Sequence, residues 1–329
     1  MQAKNWRPIL FKISGAIIAQ LINSAVAAQP ELTLAKPLDR TLVEQDTTTM
    51  DLLVSTEWLS EHLNDPDLII LDCTFLAKRD ENGMMYNESG KDTYDQAHIP
   101  NAGFADLVQE LSDQDNEFEL WMPSPIKFTE AMQALGIGNN SRVVLYSRSD
   151  PTVAARVWWM LRWIGIDQVA ILDGGMAAWK KEGRDVSSKA VSRPKSQITI
   201  ALRPDLIASQ HQVLSAIEDN GVVLLDALPI EHYRGDFALY PRAGHIAGAN
   251  SMPAMELVHG NYYRSYDELD LMFDDERSKP VITYCGGGVA AASLAFSMHR
   301  LGFENVSVYM GSLQEWTSDL TNPMTLDEE

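Results

Sequence analysis

The 329-residue chain contains an internal duplication, and this feature restricts its fold more than any other. The segments from Arg142 to Trp179 and from Pro280 to Trp316 share one order of blocks: an apolar run, a loop, a long apolar-rich stretch and a tryptophan. In each copy a glycine lies 14 positions before that tryptophan. Two copies of one structural unit are therefore expected.

Each copy predicts one α/β unit. Upstream of the first segment pair, LIILD at 68–72 matches VVLLD at 222–226, and AHIPNAGF at 97–104 matches GHIAGANS at 244–251. Short, wholly apolar strands alternate with helical patterns, which is typical of parallel sheets buried on both faces. We therefore expect an α/β fold of two tandem domains, each a mainly parallel sheet with helices on both faces.

The domain limits follow from composition and repeat positions. We expect the first domain over residues 51–185 and the second over 204–325, joined by a linker at 186–203 that is rich in Ser, Lys and Pro. The formal net charge is −20. This balance argues against nucleic acid as a partner, because binding to a phosphate backbone needs a basic face. An anionic substrate must be held by local cations or backbone N–H groups.

The N-terminus is typical of a secretory signal peptide over residues 1–28, followed by a flexible leader over 29–50. It has a basic start, a short apolar stretch and small residues before a cleavage site after Ala27 or Ala28. A membrane anchor is the alternative, but the apolar stretch is far shorter than the roughly 20 residues that span a bilayer. We expect a periplasmic or secreted protein without stable membrane insertion after cleavage.

A lone thiol followed by three glycines is the second distinctive feature, in KPVITYCGGGVAAASLAF at 279–296. Cys285 follows an apolar strand, and a helix is expected to begin near Val289 or Ala290. Binding sites in parallel α/β units form at the carboxyl ends of strands. Glycines let backbone N–H groups converge there, which favours a thiolate nucleophile beside the helix N-terminus. The alternative is a cysteine packed in the core beside a tight turn.

Only the second copy carries this nucleophile. The first copy has Ser147 at the matching position, and its loop contains Asp150 and Pro151, which suit neither a thiolate nor a bound anion. The other cysteine, Cys73, ends an apolar run, and we expect no disulfide between it and Cys285.

The tandem repeat, the two His-Ile blocks and the sequence YCGGGVAA resemble the two-domain rhodanese-type sulfurtransferases over about residues 52–325. The resemblance implies that Cys285 attacks a small anionic sulfur donor, becomes a persulfide and passes the outer sulfur to a thiol, cyanide or thioredoxin-like acceptor. Nothing in the sequence requires a metal or an organic cofactor. The loop that would cradle the persulfide consists of Cys285, Gly286, Gly287, Gly288, Val289 and Ala290.

The loop composition bears on the choice of donor. Relatives specialised for thiosulfate resemble Cys-Arg-Lys-Gly-Val-Thr, and relatives that use 3-mercaptopyruvate resemble Cys-Gly-Ser-Gly-Val-Thr. The loop here has no basic residue and favours 3-mercaptopyruvate, but Gly287 replaces the serine and Ala290 the threonine, so thiosulfate stays open as the alternative. Arg234 matches the family's substrate arginine and Arg242 resembles a second one, since arginine can bind a carboxylate or sulfonate through two donors. Both can also be read as solvated loop residues.

Other prominent residues are interpreted as structural. His98 and His245 are expected to cap a turn, and Asp72 and Asp226, at strand ends, are expected to bind backbone N–H groups. Trp158, Trp159 and Trp163 are expected to lie between the domains. A cysteine phosphatase would need an arginine where the chain has Ala291. The scattered histidines and cysteines give no metal-ligand spacing. An exported persulfide carrier without fast turnover is the non-enzymatic alternative.

Overall fold

A computed structural model describes residues 50–81, 85–148, 150–219, 221–273 and 277–326. The predicted signal peptide and all of the predicted leader except Met50 lie outside these residues. In the described ranges no helix has both the length and the apolar character needed to cross a bilayer. In the same ranges no group of three His, Cys, Asp or Glu side chains is placed to hold a metal ion.

The first copy of the repeat forms a parallel sheet with strand order β1-β7-β6-β2-β5, and a separate antiparallel hairpin of β3 and β4. Its elements are β1 (Leu53–Val54), α1 (Thr56–His62), β2 (Leu68–Asp72), β3 (Phe75–Arg79), β4 (Met85–Ser89), α2 (Lys91–Gln96), β5 (Ala102–Phe104), α3 (Pro125–Ala134), β6 (Arg142–Tyr146), α4 (Pro151–Trp163), β7 (Val169–Leu172) and α5 (Gly175–Lys181).

The second copy repeats this topology in a parallel sheet with order β8-β15-β14-β9-β11. Its elements are β8 (Ile207–Ala208), α6 (Gln210–Glu218), β9 (Val223–Asp226), α7 (Ile230–Arg234), β10 (His245–Ile246), β11 (Asn250–Ser251), β12 (Val258–His259), β13 (Tyr262–Tyr263), α8 (Tyr266–Asp270), β14 (Val281–Tyr284), α9 (Val289–Arg300), β15 (Val306–Tyr309), α10 (Ser312–Trp316) and β16 (Met324–Thr325). Short 3-10 turns occur at Pro204–Leu206 and Ala254–Leu257. The prediction of two α/β domains with mainly parallel sheets is confirmed.

Alternation along the strands divides each domain into two apolar layers. In β2, Ile69 and Leu71 face the core that contains α3 and α4, while Leu68 and Ile70 face the core that contains α1 and α5. This is the period-two pattern of a strand buried on both sides. Every residue of β2 is buried, which explains why its sequence is apolar up to the final Asp72.

The core around α4 is continuous with the core around α9, so the two domains share one hydrophobic interior. The Trp158 ring meets Phe296 edge to face, with ring centroids 4.9 Å apart. The Trp159 indole N–H donates to the carbonyl oxygen of Leu206, 2.9 Å away, in the second domain. These two tryptophans lie at the predicted interdomain contact. The Trp163 ring packs on Phe128 of the first domain, with centroids 6.4 Å apart.

Candidate active site

Cys285 stands at the carboxyl end of β14, in the interior of the second sheet between β9 and β15. The residue is 3% exposed. The N–H of Cys285 donates to the Oγ of Ser312 at 3.1 Å, and its carbonyl oxygen accepts from the N–H of Leu313 at 3.0 Å. The Ser312 hydroxyl donates in turn to the carbonyl oxygen of Tyr309 at 2.7 Å. The turn between β15 and α10 therefore fixes the backbone of the nucleophile.

A backbone N–H at the start of α9 is directed at the thiol. Gly288 donates its N–H to the Sγ of Cys285 at 3.1 Å. Gly288 has a φ of +82°, in the left-handed region that favours glycine, and α9 begins at the next residue, Val289, as predicted. Val289 and Ala290 form the first turn of the helix and are half-buried. The positive end of the helix dipole and the Gly288 N–H together stabilise a negative sulfur atom.

The three glycines are not equivalent. A Cβ on Gly286 would overlap the hydroxyl of Tyr240, and a Cβ on Gly288 would overlap the guanidinium of Arg156. A Cβ on Gly287 would stand 3.4 Å from the nearest side-chain atom of Gln314, which is ordinary contact. A side chain at position 286 would have to displace the Tyr240 hydroxyl, position 288 favours glycine through both its φ and its neighbours, and position 287 has room for a side chain.

Arg156 also belongs to this site, although it lies in the first domain and is not among the residues predicted from the sequence. It is fully buried on α4, and its Nη2 donates to the carbonyl oxygen of Leu120 at 2.9 Å. Burial lowers the pKa of the Arg156 guanidinium to about 10, and the negative charge of Cys285 opposes that shift. A signal existed in the sequence, since an arginine interrupts the apolar face of the long helix in AARVWW.

Tyr240 and Gln314 complete the surroundings of the loop and were also missed. Burial, and then the charge of Cys285, raise the pKa of the Tyr240 phenol well above its usual range. The side-chain amide of Gln314 donates to the carbonyl oxygen of Glu119 in the first domain at 3.0 Å. A first-domain segment thus contacts α10, the helix after β15. Neither residue belongs to a recognisable motif in the sequence.

Among the described residues, neither predicted substrate arginine makes a hydrogen bond or an ion pair with the loop. Arg234 ends α7, is exposed, and has no hydrogen-bond or ion-pair partner among the described residues. Arg242 is half-buried, and its Nη1 donates to the carbonyl oxygens of Asn322 at 2.7 Å and Asp319 at 3.3 Å. Arg242 therefore holds the segment after α10, whereas the Arg234 guanidinium is available to a ligand.

The two histidines make the same structural contacts in both copies. The Nδ1 of His98 lies 2.8 Å from the carbonyl oxygen of Tyr94, and the two rings stack at 4.0 Å. The Nδ1 of His245 lies 2.8 Å from the carbonyl oxygen of Tyr233, and those rings stack at 3.7 Å. Both histidines therefore cap a turn, as the sequence predicts.

The strand-end aspartates also bind backbone as predicted. Asp72 accepts from the N–H of Thr74 at 3.0 Å, and Asp226 accepts from the N–H of Leu228 at 2.8 Å. Asp226 pairs across the sheet with Tyr284, the residue before the nucleophile. Burial raises the pKa of the Asp226 carboxyl to about 6. Its Oδ2 is buried without a hydrogen-bond partner among the described residues.

The matching loop of the first domain is bound to itself. The Ser147 hydroxyl donates to the carbonyl oxygen of Asp150, and the Asp150 carboxylate accepts from the N–H of Thr152 at 2.9 Å to cap α4. Cys73 and Cys285 are both free thiols. Of the two matching loops, the one that carries a nucleophilic thiol is therefore that of the second domain.

Comparison with known proteins agrees with this architecture. The profile of the Rhodanese-like domain matches residues 55–182 and 209–319. The 3-mercaptopyruvate sulfurtransferase of Escherichia coli (strain K12) is 33% identical over 270 residues, which cover 80% of this chain and 94% of that protein. The thiosulfate sulfurtransferase of Bos taurus is 33% identical over 279 residues, covering 80% and 91%.

Two further matches extend over most of the chain. The mitochondrial thiosulfate/3-mercaptopyruvate sulfurtransferase 1 of Arabidopsis thaliana is 30% identical over 357 residues, covering 98% of this chain and 92% of that protein. The crystal structure of SseA from Escherichia coli superposes with a TM-score of 0.71 at 31% identity, covering 80% of this chain and 99% of that one. The chain is therefore a two-domain member of the rhodanese family and, like these relatives, a sulfurtransferase.

Proposed function

We propose that the chain transfers sulfur from 3-mercaptopyruvate to a thiol or cyanide acceptor through a persulfide on Cys285. The observation that carries this proposal is the Gly288 N–H directed at the Cys285 Sγ, 3.1 Å away, at the start of α9. A loop without basic side chains and relatives named for 3-mercaptopyruvate support that donor. Thiosulfate is the second candidate, because a relative of equal identity is named for it.

The proposed reaction has two half-reactions. The Cys285 thiolate attacks the donor's sulfur, an S–S bond forms, and the donor's C–S bond breaks to release the enolate of pyruvate, which takes up a proton. The acceptor then attacks the outer sulfur, the S–S bond breaks, and the Cys285 thiolate returns. With cyanide the product is thiocyanate. The Gly288 N–H and the dipole of α9 stabilise the sulfur anion in both resting and intermediate forms.

We propose that Arg234 binds the carboxylate of the donor. Its guanidinium is exposed and unpaired within the described residues, whereas Arg242 already donates to two carbonyl oxygens. A bidentate arginine–carboxylate pair gives both charge and orientation. Arg242 remains a predicted second contact, and its test is the same substitution to alanine.

The nucleophile is tested by comparing Cys285→Ser with Cys73→Ala, a control substitution at the other cysteine. Initial rates with 3-mercaptopyruvate and with thiosulfate, each with cyanide or a thiol as acceptor, should fall to background only in Cys285→Ser. Mass spectrometry after donor alone should find one added sulfur on the Cys285 peptide. Added sulfur on the Cys73 peptide would contradict the mechanism. Stoichiometric persulfide without turnover would identify a carrier instead of an enzyme.

The donor-binding residue is tested by Arg234→Ala. The Michaelis constant for 3-mercaptopyruvate should rise by about tenfold or more, because a charge-assisted pair contributes roughly 1.5–3 kcal/mol. Lys181→Ala, at an exposed cation of the first domain, is the control and should leave the constant unchanged. An unchanged Michaelis constant in Arg234→Ala would show that Arg234 is a solvated surface residue that does not bind the donor.

We also propose that the protein is exported, on the basis of the signal-like sequence at 1–28. Expression of the full chain in a bacterial host with an outer membrane, followed by fractionation, should place the mature protein in the periplasm or the medium. N-terminal sequencing should begin at Ala28 or Gln29. Retention of Met1 on a cytoplasmic protein would reject export.

A further inference from the structure

Each long helix of the repeat carries a buried polar residue at one equivalent position, Arg156 on α4 and Ser293 on α9. Both lie nine residues before the glycine that follows their helix, Gly165 and Gly302. The repeat therefore allows the two positions to be compared directly. The group that each domain places against the start of the other domain's long helix differs in charge.

Among the described residues, the second domain places the neutral hydroxyl of Tyr263 against the start of α4. The Ser293 hydroxyl bonds the hydroxyl of Tyr263 at 2.9 Å, and that hydroxyl lies 3.4 Å from the carbonyl oxygen of Pro151. In the reverse direction, α4 sends the Arg156 guanidinium against Gly288 at the start of α9. The loop that contains Cys285 is thus contacted by a cation of the first domain. The matching loop of the first domain is contacted by a neutral hydroxyl of the second.

The hydrogen bonds of Arg156 leave its charge uncompensated. No carboxylate pairs with Arg156 in the described ranges; its Nη2 donates to the Leu120 carbonyl and its Nη1 contacts the thioether of Met310, a weak acceptor. Its Nε is buried without a described partner. A fully buried cation is strongly unfavourable unless an anion and hydrogen bonds compensate it. The buried guanidinium of Arg156 therefore requires an anion close by.

Cys285 is the group that can supply this anion. The Arg156 guanidinium lies against Gly288, whose N–H is bonded to the Cys285 Sγ. Several acids also lie around the loop in the described part of the chain, and their ionised forms disfavour a sulfur anion. They are Tyr240, Asp226 at the end of β9, Glu119 before α3, and Glu315 on α10.

We propose that Arg156 is the counter-charge of the sulfur anion on Cys285, supplied to the catalytic loop by the first domain. It is a positioning residue that stabilises the Cys285 thiolate before a donor binds. The same charge stabilises the persulfide anion afterwards, and this second role rests on the proposed function. A loop free of basic side chains can then still hold an anion, because its cation comes from α4. The first domain is in this way a part of the active site.

The test measures the alkylation rate of Cys285 by iodoacetamide against pH, without any sulfur donor, in a Cys73→Ala background. Arg156→Met should move the midpoint of this profile upward by about one to three pH units, the shift expected on removing a close opposite charge. Arg156→Lys keeps the charge and should restore most of the shift. Ser293→Ala, at the matched position of the repeat, should leave the profile unchanged.

An unchanged midpoint in folded Arg156→Met would overturn the proposal. If that variant does not fold, Arg156→Gln carries the same test, since its amide can still donate to the Leu120 carbonyl. Midpoints raised equally in the Lys and neutral variants would assign Arg156 a packing role only. Because alkylation needs no donor, an altered midpoint in a protein without sulfur transfer would reject the proposed function and leave the counter-charge intact.

Discussion

At the scale of single residues, the space beside Cys285 is divided between backbone and two large side chains. The Tyr240 hydroxyl occupies the volume that a side chain at position 286 would need. The guanidinium of Arg156 does the same at position 288. A loop with a basic residue directly after the cysteine is therefore incompatible with Tyr240 in its present place, which separates this site from the thiosulfate-type loop.

We predict that Gly286→Ala and Gly287→Ala differ sharply. Gly286→Ala forces its methyl group into Tyr240 and should lower both the melting temperature and kcat/KM, the latter by about fivefold or more, since overpacking costs about 1–3 kcal/mol. Gly287→Ala meets only ordinary contact and should stay within about twofold of the wild type. Thermal unfolding and steady-state kinetics measure both effects. Equal damage from the two substitutions would contradict the steric difference.

A second residue-scale prediction concerns Asp226. Its pKa in the folded protein is about 6, above the ordinary 3.8, so the folded state holds a proton that the unfolded chain loses between about pH 4 and 6. Stability should therefore fall as pH rises through that window, by about 3 kcal/mol from this group. Asp226→Asn should gain stability relative to the wild type by that amount between pH 4 and 7. Urea unfolding at several pH values measures it, and a constant difference would refute it.

At the scale of elements, the contact of α4 with α9 holds the active site together. Arg156 lies two residues before Trp158, whose ring packs against Phe296. The position of the guanidinium is therefore set by the same helix packing that joins the domains. Any change that rotates or shifts α4 also displaces the cation from the catalytic loop.

We predict that Trp158→Ala removes about 3–5 kcal/mol of unfolding free energy, because it leaves a large cavity in the shared core. Trp58→Ala, a matched change at a half-buried tryptophan stacked on His62, should cost much less. Denaturant unfolding measures both values. Similar losses in the two variants would show that the α4–α9 contact contributes little.

At the scale of the whole molecule, the continuous core predicts that both domains unfold together. Separation would expose the apolar faces of α4 and α9 at once. Calorimetry should therefore give one transition with equal calorimetric and van't Hoff enthalpies, unlike the usual multidomain protein. Two resolved transitions would show that the domains are independently stable.

The repeat explains how much of this molecule is readable from its sequence. The topology of the second domain, the position of Cys285 at a strand end and the start of α9 at Val289 all follow from local apolar patterns. Arg156 does not, because the packing of one domain on another depends on how complete helix surfaces fit. Tyr240 sits in an irregular loop whose path has no periodic signal, and the Nη1 of Arg242 donates to carbonyl oxygens that no sequence pattern would indicate.

The placement of the two cysteines has a consequence for oxidative damage. Cys73 follows β2 of the first sheet and is completely buried, whereas Cys285 follows β14 of the second sheet. The chain has only these two thiols, so a sulfenic acid on Cys285 has no accessible resolving cysteine within the same molecule. Repair must come from an outside thiol, and the same small molecules that accept sulfur from this enzyme are suited to reactivate it.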